Sequence, residues 1–470
     1  MRNFVKKTWP FAVVASLVVT SAATWNVTRS SEVSADEKNS NTKIKNVIVL
    51  IGDGMGPSYM TAHRYMKDNP KTFEMESTAF DTYLVGTQKT YSEDEHENIT
   101  DSASAATAMA SGVKTYNAAI SVDNDKTEVK TVLEQAKEHG KSTGLVATAE
   151  ITHATPAAFG AHDIHRDNMD AIANDYFDEK VKGKHKVDVM LGGGRKNFVR
   201  EDRNLTEEFK KSGYSYVTDR EQLLQDKNDQ ILGLFALGEL DKMIDRNDNA
   251  PSLEEMTQAA IERLNKNKNG FFLMVEGSQI DWAGHDNDIV GAMSEMENFE
   301  RAFKAAIKFA KKDQQTLVVA TADHSTGGLS VGANDAYNFK VAPIKAAKRT
   351  PDFMANEIVK VASVEETLNT YIDLPLTSEE IKAIKDVAAS KDVTKIDDAI
   401  EAIFNKRSIT GWTTGGHTGE DVNVYAFGPG KYVFSGVQEN TNIAKRVFAI
   451  VGGSDPNKER LSSWFIVNIL

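Results

Sequence analysis

The sequence predicts an α/β protein built on a doubly wound central sheet flanked by helices. Three observations carry this reading. Short apolar runs rich in β-branched and aromatic residues recur without alternation, as strands buried on both faces do. Amphipathic helical stretches separate them, which is the rhythm of a wound sheet. Three of the runs also end in turns that carry carboxylates and histidines.

Along the chain, Arg2, Lys6 and Lys7 precede the apolar run WPFAVVASLVVTSAA (9–23). That run is shorter than the ~20 residues a spanning helix needs. A basic start, apolar middle and small-residue end read as a secretory signal peptide, with cleavage after Ala23 or Ala35. The polar stretch from Asn26 to Lys45 reads as a flexible leader. Residues 1–35 are therefore assigned to signal peptide and leader, and 43–470 to a single domain of an exported protein with no stable membrane span after processing.

KNVIVLIGDGMG (45–56) is a buried strand running into a Gly-rich turn with Asp53. ITDSASAATAMASG (99–112) is a helix of small residues whose one charge is Asp101. Either Asp101 or Ser102 caps its first turn, or that turn presents a hydroxyl that must approach a partner closely. VKTVLEQAKEHG (129–140) and TQAAIERLNKNK (257–268) are helices; STGLVAT (142–148) and VDVML (187–191) are strands. LGGGRKNF (191–198) is a tight turn, since its glycines lack the Lys-Ser/Thr of a phosphate loop.

NGFFLMVEGSQIDWAGH (269–285) is a strand ending at Glu276, followed by Asp281 and His285. QTLVVATADHSTGG (315–328) is a strand ending at Asp323 and His324. Residues 330–410 read as a mostly helical insertion near the C-terminal third, on the apolar spacing of TSEEIKAIKDVAAS (377–390) and KIDDAIEAIFNKR (395–407). NVYAFG (423–428) is a last strand, preceded by His417.

Composition narrows the chemistry. With 68 acidic against 55 basic residues the net charge is −13, which supplies no basic face for nucleic acid. The absence of cysteine removes disulfides and thiolate metal sites. In open α/β sheets the working crevice lies beyond the carboxyl ends of the strands. Asp53, Glu276, Asp281, His285, Asp323 and His324 would gather there. Like charges ~4 Å apart repel by about 4 kcal/mol at an effective dielectric near 20, so such a cluster needs cations. Asp281 and His285 are spaced to share one helix face, and His417 is a further imidazole for the set. Oxygen and imidazole donors suit zinc, and all-oxygen donors suit magnesium.

Together these residues resemble the alkaline phosphatase family. The matching stretches are IGDGMG (51–56), TDSASAATA (100–108), THATPAA (152–158), AHDIHRD (161–167), LGGGRKNF (191–198), VEGSQIDWAGH (275–285), TADHSTGG (321–328) and GGHTGED (415–421), in the family's order. The resemblance implies a three-layer α/β/α catalytic domain over 43–470 and a phosphomonoesterase with two zinc ions and one magnesium ion, cobalt being an option in place of zinc. It implies that Asp53, Asp323 and His324 hold one zinc, and Asp281, His285 and His417 the other. Magnesium falls to Asp53, Thr155 and Glu276. Ser102 matches the nucleophile and Arg166 the phosphate clamp, with Asp101 beside it. The expected assembly is a homodimer. His153 and Trp282 stand where the best-known bacterial pattern has Asp and Lys, which bears on the third metal and on the hold on Arg166.

The expected chemistry is a two-step, in-line phosphoryl transfer through phosphoserine on Ser102, releasing inorganic phosphate. A lone serine hydroxyl needs a base or metal to act as a nucleophile. Three divalent ions bring +6 against −4 from Asp53, Glu276, Asp281 and Asp323, while Arg166 and Asp101 cancel. A phosphate dianion thus meets a positive pocket inside an acidic protein. The competing readings are a phosphodiesterase or another hydrolase of the same metalloenzyme superfamily, and a non-catalytic exported metal- or phosphate-binding protein.

Overall fold

The structure, a computed structural model, describes residues 43–360, 363–453 and 455–457. The expected signal peptide, residues 1–35, lies outside the described residues. Among the described residues, no helix is long and apolar enough to cross a membrane.

Ten strands form the central sheet: β1 (Asn46–Gly52), β2 (Leu84–Lys89), β3 (Ser142–Glu150), β4 (Val189–Gly193), β5 (Ser215–Val217), β6 (Ile231–Leu234), β7 (Phe271–Gly277), β8 (Thr316–Thr321), β9 (Val422–Phe427) and β10 (Gly436–Glu439). Their spatial order is β10-β2-β9-β8-β1-β7-β3-β4-β6-β5. β1 pairs in parallel with β8 on one side and β7 on the other. β9 runs antiparallel to both of its neighbours, β8 and β2.

The strands alternate their side chains between two cores. Ile48 and Leu50 of β1 join one apolar cluster, and Val47, Val49 and Ile51 join the other. Both faces are therefore covered, which is why these strands read as unbroken apolar runs. On the first face lie α1 (Pro57–Lys67), α5 (Leu253–Leu264) and α7 (Ile289–Asp313). On the second lie α2 (Ser102–Ser111), α3 (Val132–Glu138), α4 (Ala154–Gly160) and α12 (Thr441–Val451). The result is three layers, α/β/α.

Of the connecting helices, α6 (Gln279–His285) follows β7 directly. Within the expected 330–410 insertion lie α8 (Pro351–Lys360), α9 (Val364–Tyr371), α10 (Ser378–Ala388) and α11 (Val393–Ser408). Their apolar sides, including Met354, Leu368, Ile384, Ile396 and Ile400, join the core of the first face. The glycine run at 192–194 finishes β4, turns at Gly194 with φ 90°, and opens the short helix Arg195–Phe198.

Register sets the working edge. Ile51 stands opposite both Thr321 and Glu276, and Gly52 opposite Gly277. β8, β1 and β7 therefore end level with one another, and the residues that follow them enter the same crevice. Because β9 is reversed, the residues before it lie at that same edge, which brings in His417.

Candidate active site

Three level strand ends supply the acids. Asp53 follows β1, Glu276 sits at the end of β7, and Asp323 and His324 follow β8. All four are essentially inaccessible to solvent. The turn after β1 can approach the others only because residue 54 is glycine. Its φ is +69°, and a Cβ there would lie 2.7 Å from Thr326 Oγ1 and 2.8 Å from the Asp281 Cα.

One group of donors centres on His324 Nε2. Asp323 Oδ2 lies 3.2 Å from it, Asp53 Oδ1 3.4 Å and Ser102 Oγ 3.1 Å. A tetrahedron with ligands about 2.0–2.1 Å from zinc has edges of about 3.3 Å, so these separations match a shared tetrahedral centre. They do not match a Ser-His-Asp triad. In a triad the acid engages the ring nitrogen opposite the serine. Here the carboxylates and the serine crowd the same nitrogen, and His324 Nδ1 instead lies 3.2 Å from Thr326 Oγ1.

A second group uses α6, whose pitch sets Asp281 and His285 on one side. His285 Nε2 is 3.3 Å from Asp281 Oδ2 and 3.1 Å from His417 Nε2, and His417 Nε2 is 3.6 Å from Asp281 Oδ1. The two histidines face different oxygens of the Asp281 carboxylate, and Asp281, His417 and His324 lie within common ligand range of one another. Carbonyls fix both tautomers: His285 Nδ1 donates to Gly415 O at 2.6 Å, and His417 Nδ1 donates to Thr100 O at 2.8 Å. Each Nε2 then faces inward, the arrangement of metal-ligating histidines; hydrogen bonding to Asp281 raises His285 to about 9, so a metal bound at its Nε2 would displace a proton. The His417 ring also stacks on His324 at 3.6 Å between centroids.

A third group joins Asp53, His153 and Glu276 within common ligand range. Thr155 Oγ1, both Glu276 carboxylate oxygens, Asp53 Oδ1 and Asp323 Oδ2 are buried without hydrogen-bond partners. Buried acceptors of this kind are normally satisfied. Orphaned and convergent, they fit divalent cations.

Electrostatics agree. Burial, then the charges of Asp323, Asp281 and Glu276, push Asp53 well above the usual carboxylate range. Burial raises Asp323 to about 6 and Glu276 to about 7. Burial opposes the Asp281 charge too, but hydrogen bonding to His285 and the surrounding imidazoles outweigh it and hold that carboxyl low. Burial lowers His324 and His417 to about 4, so both rings are neutral donors near pH 7.

Ser102 opens α2 and is 1% exposed. Asp101 is the cap: its Oδ1 accepts from the Ser104 backbone N at 2.9 Å. All ten residues of α2 are buried. Close packing and a presented hydroxyl are thus one arrangement, since small side chains let the helix lie against α4 and α12 with its first turn at the crevice. The positive end of the helix dipole favours negative charge on Ser102 Oγ.

Asp101 Oδ2 also accepts from Arg166 Nη1 at 3.0 Å and from the Ala118 backbone N at 3.0 Å. On its other arm, Arg166 Nη2 donates to His153 Nε2 at 3.0 Å. Burial, then the Arg166 charge, hold His153 down at about 3, so it acts as a neutral acceptor. Trp282 meets the His153 ring edge-on at 5.7 Å. His153 and Trp282 thus stand together behind the arginine.

The candidate site residues named from the sequence lie in or beside this crevice. Sequence reasoning missed the groups that aim them. Thr326 Oγ1 donates to Asp281 Oδ1 while touching His324 Nδ1, so one hydroxyl links the two imidazole-bearing groups. Tyr59 OH in turn donates to Thr326 O at 2.7 Å. Thr326 lay inside a quoted motif, TADHSTGG, but the carbonyls of Thr100 and Gly415 leave no sequence signal. A cavity of about 440 Å³ bounded by Ile99, Asp101, Asn117 and His417 opens beside Ser102's helix.

Comparison with known proteins places this geometry in context. A family model described as Alkaline phosphatase matches residues 44–452. "Alkaline phosphatase 3" of Bacillus subtilis (strain 168) is 65% identical over 453 residues, covering 95% of this chain and 97% of that protein. The crystal structure of a cold-active alkaline phosphatase from the psychrophile Shewanella sp. superimposes with a TM-score of 0.82 at 41% identity, covering 86% of this chain and 99% of that one. A variant of the alkaline phosphatase from the Antarctic bacterium TAB5, with a histidine changed to aspartate and Mg bound in the M3 site, matches with a TM-score of 0.64 at 30% identity, covering 88% of this chain and 99% of that one.

Proposed function

The chain belongs to the alkaline phosphatase family and hydrolyses phosphate monoesters, and from that footing we propose that Ser102 is its nucleophile, Arg166 its phosphate clamp, and two zinc ions with one magnesium ion its cofactors. The observation that carries this reading is the convergence of Asp53, Asp323 and Ser102 on one nitrogen of His324 at 3.1–3.4 Å. Asp53, Asp323 and His324 would hold one zinc, and Asp281, His285 and His417 the other. Asp53, Thr155 and Glu276 would hold magnesium. Zinc supplies Lewis acidity that favours the serine alkoxide and the departing oxygen.

The remaining work belongs to the side chains. Ser102 Oγ attacks the phosphorus, the ester bond breaks, and the alcohol leaves as phosphoserine forms. Water then attacks the phosphoserine, returning Ser102 and releasing inorganic phosphate. Arg166 is held on one arm by Asp101 and on the other by His153. Each terminal nitrogen keeps a second N–H for substrate, so the planar fork can grip two non-bridging oxygens. A monoester offers both oxygens unsubstituted. The TAB5 variant associates a His-to-Asp change with Mg in its M3 site. That supports placing His153 beside the third metal, and cobalt remains an option in place of zinc.

Matched mono- and diesters of one leaving group test this reading. A charge-assisted hydrogen bond contributes about 1.5–3 kcal/mol, so losing one oxygen of the gripped pair costs roughly 10- to 100-fold or more. We expect kcat/KM to favour the monoester by at least that factor. A preference for the diester would move the chain to the phosphodiesterase reading. The protein is further proposed to be exported through its N-terminal signal and to act as a homodimer. The N-terminal residue and sedimentation mass of protein recovered from the medium check both.

A further inference from the structure

Three imidazoles serve the two proposed zinc sites, and they are not held alike. Backbone carbonyls take the Nδ1 protons of His285 and His417. His324 faces a hydroxyl instead, with Nδ1 3.2 Å from Thr326 Oγ1. The same oxygen is in hydrogen-bond contact with Asp281 Oδ1. A hydroxyl carries one proton, and an ionised carboxylate only accepts. The Thr326 proton therefore goes to Asp281, and Thr326 Oγ1 accepts from His324 Nδ1–H. That order leaves Nε2 of His324 bare, on the side where Asp53, Asp323 and Ser102 converge.

The fold leaves this hydroxyl little freedom. Thr326 is fully buried. Its backbone N donates to Gly54 O at 3.2 Å, one residue after Asp53, and its carbonyl accepts from Tyr59 OH at 2.7 Å. The two-residue strand Ser325–Thr326 pairs antiparallel with His417–Thr418, which sets Thr326 opposite His417. Glycines make the room. A Cβ at Gly54 would lie 2.7 Å from Thr326 Oγ1, and one at Gly284 would lie 3.0 Å from Thr326 Cβ and 2.3 Å from Tyr59 OH. One short side chain thus touches a ligand of each proposed zinc. A carbonyl ends a hydrogen-bond chain, whereas a hydroxyl passes it on, and successive bonds in such a chain strengthen one another.

We propose that Thr326 is a positioning residue shared by both zinc sites: its hydroxyl relays a hydrogen bond from His324 to Asp281, setting the tautomer of one ligand and the orientation of the other. The inference rests on the two-zinc reading above. Its consequence is that removing one hydroxyl weakens both sites together. Partners that orient metal ligands typically contribute 10- to 100-fold in affinity, so a loss of about that size is expected at each zinc. The competing role is packing. The Thr326 methyl lies against Gly284 and would be the working part if the side chain only filled space.

Substitutions at this position separate hydroxyl from methyl. Thr326→Val keeps the shape and removes the hydroxyl, Thr326→Ser keeps the hydroxyl and removes the methyl, and Thr326→Ala removes both. Zinc dissociation constants are measured on the whole protein by competition with a chromogenic chelator, and elemental analysis gives the content. Thr326→Ser should hold both zinc ions as the parent does, while Thr326→Val should lose about 10- to 100-fold at both. Should Thr326→Val fold poorly, Thr326→Ser against Thr326→Ala makes the same comparison, since those two differ only in the oxygen. Unchanged zinc binding without the hydroxyl, a loss confined to one zinc, or an equal loss in Thr326→Ser overturns the relay. A parent protein that holds no zinc in the crevice overturns the two-zinc reading itself, so the two failures are told apart.

Discussion

If Ser102 is the nucleophile, replacing it by Ala should lower kcat for phosphate monoesters by about 10³-fold or more while metal content and folding stay as in the parent protein. The size follows from what is removed. Without the hydroxyl no phosphoserine can form, and what remains is binding, charge stabilisation and direct attack by water, which in nucleophilic hydrolases is a small residue of the full rate. The substitution is mild structurally. Asp101 still caps α2 through the Ser104 backbone N, and the neighbours of residue 102 along the helix are already alanines and serines. A change of stability beyond about 1 kcal/mol is not expected, because no cavity larger than an oxygen opens. Steady-state rates, rapid-quench measurement of protein-bound phosphate and elemental analysis together check it. Turnover within about tenfold of the parent would remove Ser102 from its assigned role.

The second large effect is that of metal removal. Treatment with a chelator should bring phosphatase activity to background, and zinc plus magnesium should restore it. The metal-free protein should also acquire a distinctive pH dependence. Asp323 and Glu276 are raised to about 6 and about 7 when no cation faces them, against about 4 in an unfolded chain. A group raised in the folded state binds its proton more tightly there, so its stabilising contribution is complete below pH 4 and is lost as pH rises through 6 to 7. These two carboxyls therefore lower the melting temperature of the metal-free form between pH 5 and pH 7.5, against the opposite slope below about pH 6.5 from His324 and His417, which are lowered to about 4. The loaded form should not follow it, because cations reward ionised carboxylates, and the gap between the two melting temperatures should widen toward neutral pH. Thermal scans of both forms across pH 5–8 measure this. Parallel curves would mean that the buried carboxyls are not the metal ligands.

Much of this was legible before any coordinates. Val47 to Ile51 announce a doubly covered strand because both neighbours of β1 are parallel and each face has its own core. The Asp281 and His285 spacing is a property of the helix itself, so it survives folding unchanged. Strand direction is different. NVYAFG carries no mark of polarity, and only the reversal of β9 brings His417 to the edge where the parallel strands end. Orientation by backbone carbonyls is invisible for the same kind of reason, since Thr100 and Gly415 act through atoms every residue has.

The proposed mechanism depends on cations held between acid and imidazole donors beside Ser102. Anomalous diffraction from crystals of the purified protein, recorded on either side of the zinc absorption edge, tests that most directly. Two zinc peaks are expected roughly 4 Å apart, one touching Asp53, Asp323 and His324 and the other touching Asp281, His285 and His417, with Ser102 Oγ directed at the first. Strong zinc peaks elsewhere, with none among these side chains, would contradict it.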